Sequence, residues 1–215
     1  MGERHDDRQV NVLSHLTVHS DSHSRQSWGY RRNMKLEDVY SMEELIRELA
    51  ITVSCGGNLL MNVGPNKDGV IVPIFEARPM FSSPSSPNCQ CQERLRQLGA
   101  WLEVNGEAIY GSSPWSHQND TTNSQVWYTS KVSPSQGKVV YGLVLTWPES
   151  GLLEVSSPVP GDGTSVYLLG WPGPLHFSVK EGVTTVELPD ISNSHLPWAW
   201  TVKFTQLANG GNSVV

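Results

Sequence analysis

Residues 41–69 read SMEELIRELAITVSCGGNLLMNVGPNKDG, a helical run followed at once by an apolar one. Ser41 and Glu44 have the spacing of a capping box, with Ser41 as N-cap and Glu44 at N3. Leu45, Ile46, Leu49, Ala50 and Val53 then recur at helical spacing and define one apolar face. Gly56-Gly57 supplies the stop, since a glycine enters the left-handed region without a Cβ penalty. Asn58–Val63 is short and almost continuously apolar, which predicts a strand buried on both faces, as in a parallel sheet. Gly64-Pro65-Asn66-Lys67-Asp68-Gly69 predicts a turn. Helix, buried strand and turn in that order predict an α/β unit with another helix to follow.

That next helix is interrupted. Val72-Pro73-Ile74-Phe75-Glu76 has a helix start with Pro73 in the first turn. Residues 77–92, ARPMFSSPSSPNCQCQ, hold too much Pro and Ser to be helical throughout. Helical spacing resumes from Glu93 with Leu95, Leu98 and Leu102. If residues 77–92 are removed, Phe75 joins these leucines in a single stripe. We therefore expect 77–92 to be an insertion of splicing or gene-model origin. After Asn105-Gly106-Glu107 the pattern turns to short strands: Val126–Ser130, Lys138–Trp147, Leu152–Ser156, Ser165–Gly170, Leu175–Val179, Thr184–Leu188 and Trp198–Leu207. Turns such as Pro160-Gly161-Asp162-Gly163 separate them, which predicts an antiparallel β-sandwich. The boundary is expected near Tyr110–Trp115.

Bulk properties narrow the function classes. The net charge is −6 and the densest basic stretch is only Arg31, Arg32 and Lys35, so nucleic acid is not an expected partner. No apolar run approaches the ~20 residues of a membrane-spanning helix, and no membrane partner is expected. Cys55, Cys89 and Cys91 form no disulfide framework or metal spacing and are read as free thiols. His5, His15, His19 and His23 lack a supporting helix face, so neither a metal nor a cofactor is expected. MGERHDDRQV lacks a signal-peptide core, which as written implies a cytosolic chain with a disordered leader over 1–26.

Four segments together resemble the α-L-fucosidase family, above all its animal lysosomal and plasma-type enzymes. They are Ser27-Trp28-Gly29-Tyr30-Arg31, Gly56–Pro65 with Asp68-Gly69, Trp101-Leu102 through Asn105-Gly106-Glu107-Ala108-Ile109-Tyr110, and Trp127–Lys131. The resemblance covers residues 27–76 and 93–207. It implies a (β/α) barrel followed by a β-sandwich. Residues 27–110 would be the end of the barrel, Asn58–Val63 its last strand, 111–208 the sandwich and 209–215 a tail. It also implies a retaining two-carboxylate mechanism on terminal fucose of glycoproteins and glycolipids. The nucleophile segment has no match here. The acid/base glutamate would fall just before Ser27, where Ser20–Gln26 offers only Asp21 in unlike surroundings, so no catalytic residue is carried over. Trp28 resembles an aromatic beside the sugar pocket, or is a core tryptophan anchoring a loop. Tyr30 and Arg31 stand likewise. Asn58 and Asn62 lie at strand ends and face a site or hold the backbone.

Asn119-Asp120-Thr121 is a glycosylation sequon in a polar loop. Trp147, Trp171, Trp198 and Trp200 suit a sandwich core better than a sugar-binding face. The expected function is that of a fucosidase product in which the longer parent acts on fucosylated glycans and this chain lacks catalysis. A non-catalytic sandwich that binds glycan or protein is the alternative, and an unstable fragment recruiting quality control is a third. Oligomeric state is left open.

Overall fold

The computed structural model describes residues 17–18, 40–61, 67–68, 90–190 and 198–210. Helix α1 spans Met42–Ser54. Its capping box forms as the spacing predicts: Ser41 Oγ accepts from Glu44 N–H at 3.2 Å, and Glu44 Oε2 accepts from Ser41 N–H at 2.9 Å. Glu43 and Glu44 also place negative charge against the positive end of the helix dipole. At the other end Gly56 takes φ +76°, and Gly57 N–H donates to Thr52 O at 2.8 Å. A Cβ at Gly56 would stand 3.1 Å from Pro114 Cγ, so the stop also admits the start of the sandwich at close range.

Beyond the stop, β2 (Leu60–Met61) pairs in parallel with β1 (Thr17–Val18), in register Thr17 to Leu60 and Val18 to Met61. Thus the polar leader contributes a paired strand, which corrects its expected disorder at these two residues. The expectation of a strand buried on both faces is also corrected, because Leu60 is 61% exposed. In the described residues β2 has one strand partner, and that does not enclose the Leu60 side chain. Val63, Phe75, the 64–66 part of the turn and most of 77–92 lie outside the described residues. Helix α2 spans Gln90–Asn105, so the last three residues of the expected insertion are helical. Leu98 and Trp101 are buried, while Leu95 is 41% exposed and departs from the predicted stripe. One 3-10 turn, Gly106–Ala108, closes the helix.

The remaining strands are β3 (Ser113–Asn119), β4 (Val126–Ser133), β5 (Gly137–Val144), β6 (Leu152–Val155), β7 (Pro160–Leu168), β8 (Pro174–Leu175), β9 (Phe177–Lys180), β10 (Val183–Glu187) and β11 (Trp200–Leu207). They form a six-stranded sheet, β3-β4-β5-β11-β7-β8, and a three-stranded sheet, β6-β10-β9. Two cores result. Trp115, Tyr128, Val140, Leu153, Val166, Val186, Val202 and Phe204 fill the space between the sheets. On the other face of the large sheet, Val139, Tyr141 and Leu143 pack with Met42, Leu45 and Ile46 of α1 and Trp101 of α2. Strand β5 is therefore covered on both sides, which is why its sequence is apolar at consecutive positions.

Three expectations change. Pro160–Gly163 is the first part of β7 and not a turn, because β11 bulges opposite it between Thr205 and Leu207. Gln206 takes φ +54° there, and Gly163 takes φ +94° with no room for a Cβ beside Gln206 Oε1. The expected strand Leu175–Val179 divides at His176, so that β8 joins the large sheet and β9 the small one. Asn119 ends strand β3 and does not sit in a loop.

Candidate functional site

Ligands of barrels and open α/β sheets bind beyond the carboxyl ends of parallel strands. Because β1 and β2 run parallel, their carboxyl ends, Val18 and Met61, share one edge. Asn62 follows Met61 directly in the sequence. Asn58 precedes β2 and is solvent-exposed, so it belongs to the opposite edge. Asn62, Trp28, Tyr30 and Arg31 lie outside the described residues.

The sandwich holds this unit in place through polar locks. Trp101 Nε1–H donates to Ala199 O at 2.8 Å, inside the shared core. Thr129 Oγ1 donates to Ala108 O at 2.8 Å, and Arg47 Nη2 donates to Gln125 Oε1 at 2.6 Å. Glu107 Oε1 accepts from Lys203 Nζ at 2.7 Å and from Tyr141 OH at 2.8 Å. Burial works to raise the Glu107 pKa, but these two donors outweigh it and hold the carboxyl below its usual range. Burial and then Glu107 push the Tyr141 hydroxyl well upward. A carboxylate so occupied is a structural pin, since ion-pair networks perturb pKa values as surely as active sites do.

Asp120, the middle residue of the sequon, is 3% exposed. Its carboxylate accepts from the backbone N–H groups of Thr122, Asn123, Ser156 and Ser157 and from Tyr128 OH at 2.9 Å. Burial opposes ionisation, yet these donors lower its pKa to about 2. Burial and then the Asp120 charge raise the Tyr128 hydroxyl. Sequence reasoning missed this hub; an Asp followed by Thr122 and Asn123 was the available signal, an Asx-type turn. Asn119 Nδ2 donates to Ser124 O at 3.1 Å and Val126 O at 2.9 Å, so the sequon amide is engaged by backbone.

Of the four tryptophans weighed above, Trp171 is 43% exposed and is not core. Trp198 packs against the helix-side core, and Trp147 and Trp200 against the inter-sheet core. The Trp147 and Trp200 rings lie 4.8 Å apart at 59°. Cys55 is a free thiol, as expected, with its pKa raised by burial. Among the described residues no three His, Cys, Asp or Glu side chains gather as a metal site, and no helix is long and apolar enough to cross a membrane.

Comparison with known proteins adds three findings. The family profile described as "Alpha-L-fucosidase" matches residues 3–80, and the one described as "Alpha-L-fucosidase C-terminal domain" matches 118–205. The first match takes in most of 1–26, the leader expected to lie outside the family. An alpha-L-fucosidase of Branchiostoma floridae is 47% identical over 182 residues, covering 83% of this chain and 36% of that protein. A plasma alpha-L-fucosidase of Rattus norvegicus is 44% identical over 200 residues, covering 91% and 39%. A tissue alpha-L-fucosidase of Homo sapiens is 44% identical over 182 residues, covering 83% and 34%. The chain therefore spans little more than a third of the length of these relatives. The solved Thermotoga maritima alpha-fucosidase in complex with a mechanism-based inhibitor aligns at TM-score 0.62 and 25% identity, over 84% of this chain and 38% of that one.

Proposed function

Since the chain belongs to the α-L-fucosidase family and matches its C-terminal portion, we propose that it supplies the closing part of a barrel and the sandwich that braces it. On this reading β1 and β2 are neighbouring barrel strands, α1 leads into the last strand, and α2 is the last barrel helix. The parent activity is hydrolysis of terminal α-L-fucose from glycoproteins and glycolipids by a retaining mechanism, in the lysosome or after secretion. The plasma and tissue relatives support that placement. Trp28, Tyr30, Asn58 and Asn62 are the residues proposed to contribute to the fucose pocket of the parent enzyme.

One observation carries the reading: a parallel strand pair joined through α1 to a sandwich that shares a core with both helices. A barrel needs eight strands to close. Among the described residues the carboxylates Glu107 and Asp120 are committed to structural donors, and the sequence offers no match to the family's nucleophile or acid/base. The 215-residue polypeptide by itself is therefore inactive. Purified chain incubated with a chromogenic α-L-fucoside should release no chromophore above buffer, and measurable turnover that scales with protein concentration would refute the proposal.

A second reading, a non-catalytic module, is favoured by the inter-sheet core, which is built wholly from residues 115–207. It predicts glycan binding by the chain without turnover.

A further inference from the structure

We propose that the β5–β6 turn of the sandwich forms a binding subsite for neutral, hydroxyl-rich ligands of one or two sugar rings, separate from the barrel edge. A cleft of about 440 Å³ opens there, lined by Trp147, Pro148, Glu149, Gly151, Leu188 and Asp190. That volume lies within the ~300–1,000 Å³ of ordinary small-molecule sites.

Hydrogen bonds tie the two walls together. Gly151 takes φ +70°, and its N–H donates to Pro148 O at 3.0 Å, closing the turn. Ser150 Oγ accepts from Leu152 N–H at 3.2 Å. Leu188 N–H donates to Gly151 O at 2.8 Å and ties the end of β10 to the turn. A cleft whose walls are bonded to each other loses little conformational entropy when it is filled.

The lining selects the ligand class. Trp147 is the one aromatic residue that lines the cleft, and its ring centroid lies 4.8 Å from that of Trp200. A quaternary ammonium needs aromatic faces around it, and only one is offered. The apolar face of a sugar ring needs one. The exposed Glu149 gives the rim an acceptor for hydroxyl groups and disfavours anions. The same charge disfavours sialylated or sulfated glycans.

The site does not rest on the barrel assignment, so its failure would leave that assignment standing. The test is amide NMR on the labelled 215-residue chain with L-fucose, lactose and N-acetylglucosamine at millimolar concentration, with sialyllactose and choline as charged comparisons. At least one neutral sugar should shift amides of Trp147–Leu152 and Leu188–Asp190 together with the Trp147 indole signal. Glu149→Gln, an exposed change that leaves folding intact, should weaken binding several-fold. Trp147→Ala should weaken it at least tenfold, and Trp147→Phe should restore part of the loss. No shifts in this cleft, unchanged affinity in Glu149→Gln and Trp147→Phe alike, or tighter binding of choline or sialyllactose would each overturn the proposal.

Discussion

At the scale of single residues, buried acceptors set the stability of the sandwich. Asp120 accepts from seven donors on five residues, several of which would otherwise lie unpaired between the β3–β4 turn, β4 and the β6–β7 connection. Replacement by Ala strands several of them, and hydrogen bonds to charged groups are worth ~1.5–3 kcal/mol each. We expect Asp120→Ala to lose about 3 kcal/mol in urea unfolding. The pH response has a definite sign. The folded pKa, about 2, lies below the ordinary 3.8, so the charge contributes stability above pH 3.8 that is lost as pH falls toward 2. Thermal melts of the native chain should fall across that window, and Asp120→Asn should flatten the fall. Gly56→Ala is the backbone counterpart. It combines φ +76° with a 3.1 Å approach to Pro114, and left-handed backbone costs ~1–2 kcal/mol outside glycine. A loss of that size in chemical denaturation is the expected outcome.

Single elements are held by their ends and by one large side chain each. The Ser41 cap on α1 satisfies Glu44 N–H, and Ser41→Ala should cost about 1 kcal/mol. Helix α2 is anchored by Trp101, which is fully buried and bonded to Ala199 beside β11. Trp101→Ala leaves a cavity and an unpaired carbonyl, and aromatic truncations of this kind cost ~3–5 kcal/mol. A loss of helical signal in circular dichroism, with part of the strand signal retained, would locate the damage at this contact. Uniform loss of both would instead mark the two cores as one cooperative unit.

Across the whole molecule the large sheet is a shared wall. Val139, Tyr141, Leu143 and Leu145 point toward α1 and α2, so a boundary at residues 110–115 cuts through a core. Residues 111–208 expressed without the helices would expose this apolar face. We expect that fragment to bind a hydrophobic dye and aggregate, while the 215-residue chain does not. A soluble, cooperatively melting fragment would show that the helix-side core is dispensable. The same wall fixes both helices, because the sandwich packs on α1 and α2 through the helix-side core.

Sequence alone determined the cap, the stop and the body of α1, the order of strands β4, β5 and β11, and the family motifs, because each is written in local spacing. It placed Asn58 and Asn62 in chain order at the two ends of a strand, and β2 (Leu60–Met61) lies between them. It did not reveal the Asp120 hub, the Glu107 pin or the Trp147 cleft. For Asp120 the partners Ser156 and Ser157 lie 36 and 37 positions away, and for Glu107 the partners Tyr141 and Lys203 lie 34 and 96 away. Nor could periodicity separate β8 from β9, since both satisfy the same alternation and only the sheet each strand joins distinguishes them. Tertiary structure decided these points because hydrogen-bond partners and burial on a second face are properties of distant segments brought together, and local pattern carries no record of which segment will arrive.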